Sequence, residues 1–205
     1  MSAESAQIAN LGKAQDLLDG NTLAHAQVTA TFDLLNFDLS GANGASPNFP
    51  ATSPGFQTNF AEEATAWIKI PAAGAYTFAI NHDGGYSLNI LGNTSQSTGQ
   101  GNAKTDFISM TFAQAGAYPV DLIYFQHTGT AQLEFLASPG SYTGYTQTGA
   151  NFQFVNDVSH GGLAVVTDPG QVAGVTIPEP SALVLLMPTI ALLMRRVSRQ
   201  KMPVR

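Results

Sequence analysis

From Phe60 to about Ala137 the chain repeats one pattern, in which apolar and polar residues alternate and turn residues interrupt them about every ten positions. A period of two cannot place apolar groups on one side of a helix, but it does so on a strand. Ala64–Ile70 alternates and stops at Pro71. Tyr76, Phe78 and Ile80 point one way, while Thr77, Ala79 and Asn81 point the other. Leu88 and Ile90 continue the period, and Ile108, Met110 and Phe112 alternate with Ser109 and Thr111. Tyr118–Phe125 is apolar on both faces apart from Asp121, which predicts a strand covered on both sides. Ala131–Ala137 follows a His-Thr-Gly-Thr turn, and Phe152–Val155 and Gly162–Thr167 read as late strands. Val28–Asp38 is a further strand candidate; 41–55 and 96–102 read as loops. With no long helical period to interrupt these strands, the expected fold is all-β, a β-sandwich or jelly-roll-like domain over residues 28–167.

The charges are few and unevenly placed. Only 11% of residues are charged and there is no cysteine, which removes disulfides, thiolate metal sites and thiol chemistry. All fourteen acids lie at or before Glu179, where only Lys13, Lys69 and Lys104 oppose them, a net of −11. The last eleven positions carry Arg195, Arg196, Arg199, Lys201 and Arg205, a net of +5. An acidic body argues against nucleic acid as a partner, because that binding rests on neutralising phosphates.

The two ends differ from the body. In residues 1–27, Ile8, Leu11, Ala14, Leu17 and Leu18 fit one face of a short helix stopped by Gly20. Residues 168–177 read as a linker, followed by a tail over 178–205 with an apolar helix at 181–194. Fourteen helical residues cover roughly 21 Å, against a hydrocarbon core of about 30 Å, so the expected C-terminal transmembrane helix is a short one. Pro188 weakens it further. Arginines after it fit a cytoplasmic stop.

The order Pro178-Glu179-Pro180, apolar helix, Arg195-Arg196 resembles the bacterial PEP-CTERM sorting signal. The resemblance implies a tail that holds the protein at the inner membrane until an exosortase-type membrane peptidase cuts near Pro178. The body then passes to the cell surface or the extracellular space. Such a route requires an export leader, and residues 1–20 lack a basic end followed by an apolar core, so the reading expects a start further upstream.

Three stretches of the body are similar to the protective-antigen-type β-sandwich, a lectin-like module. They are Ile70-Pro-Ala-Ala-Gly-Ala-Tyr-Thr-Phe-Ala-Ile80, His82-Asp-Gly-Gly-Tyr-Ser-Leu-Asn-Ile90, and Ala115-Gly-Ala-Tyr-Pro-Val120 with Tyr124-Phe-Gln-His-Thr-Gly-Thr-Ala-Gln-Leu-Glu-Phe135. In sugar-binding members of that family two adjacent aspartates, joined by a cis peptide, hold calcium, which grips sugar hydroxyls. The resemblance puts Asp83 and Gly84 at those positions, or His82 and Asp83 in a register shifted by one. Either way one carboxylate is missing, and calcium needs six to eight oxygen ligands. The candidate ligand-binding residues are therefore Asn81, Asp83, Gly84, Gly85 and Asn89, with Asp83 the sole metal candidate. Read by itself, Asp83-Gly84-Gly85 is a hairpin turn.

No catalytic constellation is present in the sequence. His25, His82, His127 and His160 lack metal-ligand spacing and read as exposed or turn residues. Gly85-Tyr-Ser-Leu-Asn89 lacks the closing glycine of a nucleophile elbow, no helix follows Gly99-Gln-Gly-Asn102, and Glu62-Glu63 reads as a solvated strand edge. The expected function is non-enzymatic, a secreted or surface component of matrix or adhesion type with a polysaccharide as partner. A calcium-dependent carbohydrate-binding module is the alternative. Trp67, Tyr86, Tyr142 and Tyr145 are candidates for a sugar-stacking platform, against the default that aromatics in strands belong to the core.

Overall fold

The structure is a computed structural model that describes residues 8–20, 33–38, 49, 59–98, 102–129 and 131–168. Along the chain these form α1 (Leu11–Leu18), β1 (Asn36–Asp38), β2 (Phe60–Ile70), β3 (Gly74–Asp83), β4 (Gly85–Ile90) and β5 (Asn93–Ser97). There follow β6 (Lys104–Phe112), β7 (Gly116–Gln126), β8 (Gln132–Pro139), β9 (Gln153–Phe154), a 3-10 turn at Val158–His160 and β10 (Val165–Val166).

The strands make two antiparallel sheets. The first has the order β1-β8-β3-β6, with β9 also paired to β8; the second has the order β10-β2-β7-β4-β5. The alternation read from the sequence packs them face to face. Tyr76, Phe78, Ile80, Phe112, Leu133 and Phe135 of the first sheet share one buried cluster with Ile68, Ile70, Leu88, Ile90, Val120 and Leu122 of the second. Phe112 meets Tyr118 edge-on across the gap, with ring centroids 4.7 Å apart. At about 1.5–3 kcal/mol for each fully buried large side chain, this shared layer dominates the stability. The arrangement is a mostly-β sandwich, as expected.

Both sheets are also covered in part on their outer faces. Ile123 and Phe125 of β7 point away from the core and pack under α1, with Ile8 and Ala14. Asn10 caps the helix by accepting from the Lys13 N–H, and Gly20 (φ +72°) ends it. An eight-residue helix is marginal alone, so this docking supplies its stability. The helix supplies one of the two covers that the doubly apolar Tyr118–Phe125 run requires. On the other sheet, residues 140–154 lie against the outer face of β3. There the Tyr142 N–H donates to Thr77 Oγ1 (2.9 Å), and Phe107, Tyr145 and Phe152 form a ring cluster.

Several expectations change. The strand expected at 108–112 begins four residues earlier, at Lys104, because β3 continues to pair with it as far as His82. Residues 93–97, partly assigned to a loop, form β5 against β4. Glu62 is not at a solvated edge. It alternates with Phe60 and Ala64 on the inward side of β2, where one carboxyl oxygen is buried without a partner and burial pushes its pKa up to about 8. Glu63 is exposed. Of the strand expected at 28–38, Asn36–Asp38 is β1, and 28–32 lie outside the described residues. Residues 169–205 also lie outside them, and with them the expected helix at 181–194 and its Pro178-Glu179-Pro180 and Arg195-Arg196 flanks. Among the described residues no helix is long and apolar enough to cross a membrane.

Candidate functional site

The Asp83-Gly84-Gly85 segment is not a hairpin turn. β3 pairs with β6 and β8, whereas β4 pairs with β5 and β7, so the chain passes from one sheet to the other at Gly84. A dipeptide reports its own local conformation and not the partners of the strands that flank it. Gly84 has φ +121°, and a Cβ there would overlap the Phe125 carbonyl oxygen and the Gln126 side chain. A Cβ on Gly85 would overlap the Phe125 ring. Tyr124 Oη donates to the Asp83 carbonyl (2.5 Å), which ties the corner to β7. Burial pushes the Tyr124 hydroxyl well above its ordinary pKa, so it remains a donor.

His82, expected at an exposed or turn position, is 1% exposed. Its ring lies between the Gly84 carbonyl oxygen (Nδ1, 2.6 Å) and Asp106 (Nε2 to Oδ2, 3.1 Å). Tyr86 Oη donates to the same carboxylate at 3.2 Å, and Lys104 Nζ is 3.3 Å from it. Burial raises the Asp106 carboxyl, but the His82 hydrogen bond and the Lys104 charge outweigh it and hold the group below its usual range. Burial pushes the Tyr86 hydroxyl up to about 12. Asp106 was not singled out in the sequence. Its signal is phase, since it occupies the inward register of Ile108, Met110 and Phe112 and is the partner of Ile80. His160 is exposed and bonded to Asp157, His127 is half-buried, and His25 lies outside the described residues.

The five candidate ligand residues do not assemble. Asn81 points to the outer face of the first sheet. Its Nδ2 donates to Glu134 (2.5 Å), and its Oδ1 accepts from Thr105 (2.6 Å) and Tyr145 (2.7 Å). Asp83 follows on the same face, with its carboxyl raised by burial and partly offset by His82. Gly84 and Gly85 are buried and contribute no side chain. Asn89 faces outward from the second sheet, on the opposite side of the sandwich, where its Oδ1 accepts from the Gly92 N–H (2.9 Å). The passage at Gly84 separates Asn81 from Asn89. Among the described residues no group of three or more His, Asp or Glu stands where it could hold a metal, and no cis peptide bond occurs. One carboxylate, one fully engaged amide and a glycine do not fit calcium.

The four aromatic candidates separate as well. Tyr86 is buried, and Tyr142 and Tyr145 belong to the ring cluster over β3 and β6. Trp67 is half-buried on the outer face of the second sheet and lines a shallow groove of about 410 Å³. Pro119 is its cross-strand partner, and Thr65, Asp121, Asn89, Leu91, Gly92 and Thr167 are among the other lining residues. Thr65, Asp121 and Asn89 stand in direct register across β2, β7 and β4.

Two facing antiparallel sheets, joined by a buried glycine corner, define a two-sheet β-sandwich domain. The family model for the PA14 domain matches residues 48–151, just over half of the chain. The chain belongs to the PA14 domain family, the protective-antigen type that the sequence resembles. Among solved structures it is similar to the PA14 domain of the MpAFP antifreeze protein, at 18% identity and a TM-score of 0.59, covering 82% of this chain and 88% of that one. It is also similar to the PA14 sugar-binding domain from an RTX adhesin, at 20% identity and a TM-score of 0.51, covering 75% of this chain and 88% of that one. At those identities the likeness is one of fold. No curated protein sequence matches the chain significantly.

Proposed function

We propose that this chain is a non-enzymatic polysaccharide-binding component of the cell surface or extracellular matrix, of adhesion type, which binds without calcium. Membership of the PA14 family carries the reading, and a solved neighbour of the same fold is described as a sugar-binding domain from an adhesin. Gly84 argues against the calcium-dependent form, because the corner has neither the second carboxylate nor space for it. Delivery is by the tail. Pro178-Glu179-Pro180, the apolar run 181–194 and Arg195-Arg196 form the sorting signal, read by an exosortase-type peptidase at the inner membrane.

The test is a glycan array probed with the full chain in calcium and again in a chelator. Binding that survives the chelator is expected. Absence of signal on every glycan contradicts the function, and signal that vanishes with the chelator contradicts the calcium-free form. Mass spectrometry of the mature C-terminus tests the delivery route, with an end near Pro178 expected and surface-located protein retaining Arg205 as the contrary result.

A further inference from the structure

The outer face of the second sheet is divided along its strands. At one end α1 covers Ala61, Ile123 and Phe125. At the other, Trp67, Pro119 and Leu91 flank the polar row of Thr65, Asp121 and Asn89. We propose that this second half is a saccharide-binding groove for a neutral, hydroxyl-rich polymer. The proposal rests on the polysaccharide-binding reading above and gives it a location away from the Asp83 corner.

Leu91 provides the first argument. It and Gly92 form the two-residue loop between β4 and β5, and both have positive φ, +49° and +80°. Such a loop favours Asn-Gly, and an L residue with a bulky side chain is strained there. A buried leucine would offset that strain by leaving water, but Leu91 is 46% exposed. The turn therefore keeps a strained apolar side chain, nearly half exposed among the described residues, at the rim of the groove. Strain of this kind persists where a ligand uses the residue.

The lining supplies the chemistry. Neighbouring strands are about 4.8 Å apart, so Thr65, Asp121 and Asn89 set a hydroxyl, a carboxyl and an amide at intervals comparable to a pyranose ring. The Asn89 amide already accepts from the Gly92 N–H and donates to Thr94 Oγ1, which leaves Thr65 and Asp121 as the polar contacts for a sugar. One Asp121 carboxylate oxygen is buried with no hydrogen-bond partner among the described residues, a desolvation cost that a ligand hydroxyl reaching it would relieve. Trp67 provides an indole against which the C–H face of a sugar packs, with an N–H donor at its edge. Asp121 is the sole charged residue of the lining; Glu63, two residues before Thr65 on the same face of β2, lies outside it. Lys69, the outward-facing base nearest along β2, is not among the lining residues. Among the described residues the lining itself carries one carboxyl and no base, while Glu63 and Lys69 flank it on either side and offset each other, which disfavours acidic polymers and leaves neutral ones.

Trp67 is the only tryptophan, so fluorescence excited at a wavelength that spares the six tyrosines reports this groove. The full chain is titrated in a chelator with cellohexaose, mannohexaose and xylohexaose, and with an oligogalacturonate as acidic control, while calorimetry records total binding. The expected result is that at least one neutral hexasaccharide shifts the Trp67 emission and lowers its acrylamide quenching at least twofold, whereas the galacturonate does not. Thr65→Arg, at an exposed strand position, is expected to weaken binding at least tenfold. Leu91→Asn is expected to weaken it at least threefold while raising the melting temperature, a pair of effects that misfolding cannot produce. Calorimetric binding with unchanged Trp67 emission, or binding unaffected by both substitutions, overturns the groove and leaves the polysaccharide-binding reading intact. Emission already shielded before sugar, and unaltered by it, also overturns the groove. No binding of any saccharide here or on the array overturns the function itself.

Discussion

On one outer face of the sandwich, Thr77, Asn81 and Glu134 are covered or tied by the 140–154 segment. On the other, Thr65, Asn89 and Asp121 line a groove beside Trp67. The residue types are nearly the same. They differ in how their hydrogen bonds are spent. Asn81 uses its Nδ2 on Glu134 and its Oδ1 on Thr105 and Tyr145, and Glu134 is 6% exposed. Asn89 spends both ends of its amide as well, on the Gly92 N–H and on Thr94, but Thr65 is exposed and one buried Asp121 oxygen has no partner among the described residues. A buried, saturated polar network specifies structure, whereas unspent polar groups beside an aromatic are equipment for a ligand.

The severest way to break the comparison is to rebuild the family's aspartate pair. Gly84→Asp places a Cβ at φ +121° against the Phe125 carbonyl, and a loss of about 3 kcal/mol or more is expected in denaturant melts, with no calcium uptake by calorimetry. A stable variant that takes up calcium would return the ligand site to the corner. The sandwich interior gives the next effect. Unfolded chain ionises Glu62 from about pH 4.5, while the folded chain keeps the proton up to about pH 8. Folded protein therefore binds the extra proton across that window, and stability falls as pH rises through it. Glu62→Gln is expected to remove this slope and to be more stable at pH 8, by on the order of 3 kcal/mol. Urea melts at pH 5 and pH 8 check it, and an unchanged slope contradicts the assignment.

Smaller effects sharpen the contrast. His82→Ala leaves the Gly84 carbonyl and Asp106 without their buried partner, at a cost of about 2 kcal/mol by thermal melt, and saccharide affinity is expected to stay within twofold. Tyr145→Phe removes one hydrogen bond to Asn81 and is expected to cost about 1 kcal/mol, again without touching affinity. Leu91→Asn reverses both signs, gaining about 1 kcal/mol in the turn while binding weakens. If Tyr145→Phe impaired binding and Leu91→Asn did not, the roles of the two faces would be exchanged.

What could be read from the sequence was periodic. The inward set Tyr76, Phe78, Ile80 and the α1 face Ile8, Leu11, Ala14 lie as their spacing dictates. Among the described residues the doubly apolar Tyr118–Phe125 run is covered on its outer side only at Ile123 and Phe125, while Pro119 and Asp121 line the groove. What could not be read was partnership. Asp83-Gly84-Gly85 has the composition of a hairpin, but the identity of the strands beside it is set by long-range pairing with Phe125 and Lys104. That one passage placed Asn81 and Asn89 on opposite faces and dissolved the expected site. Trp67 was visible as a candidate, while Thr65 and Pro119 became its neighbours only through the β2–β7 register.

The most direct measurement is amide chemical-shift mapping of the full chain with a bound neutral hexasaccharide, in the presence of a chelator. The account predicts shifts centred on Trp67, Leu91 and Asp121, with His82 to Gly85 unmoved. Shifts centred on Asp83 to Gly85 that require calcium would contradict it.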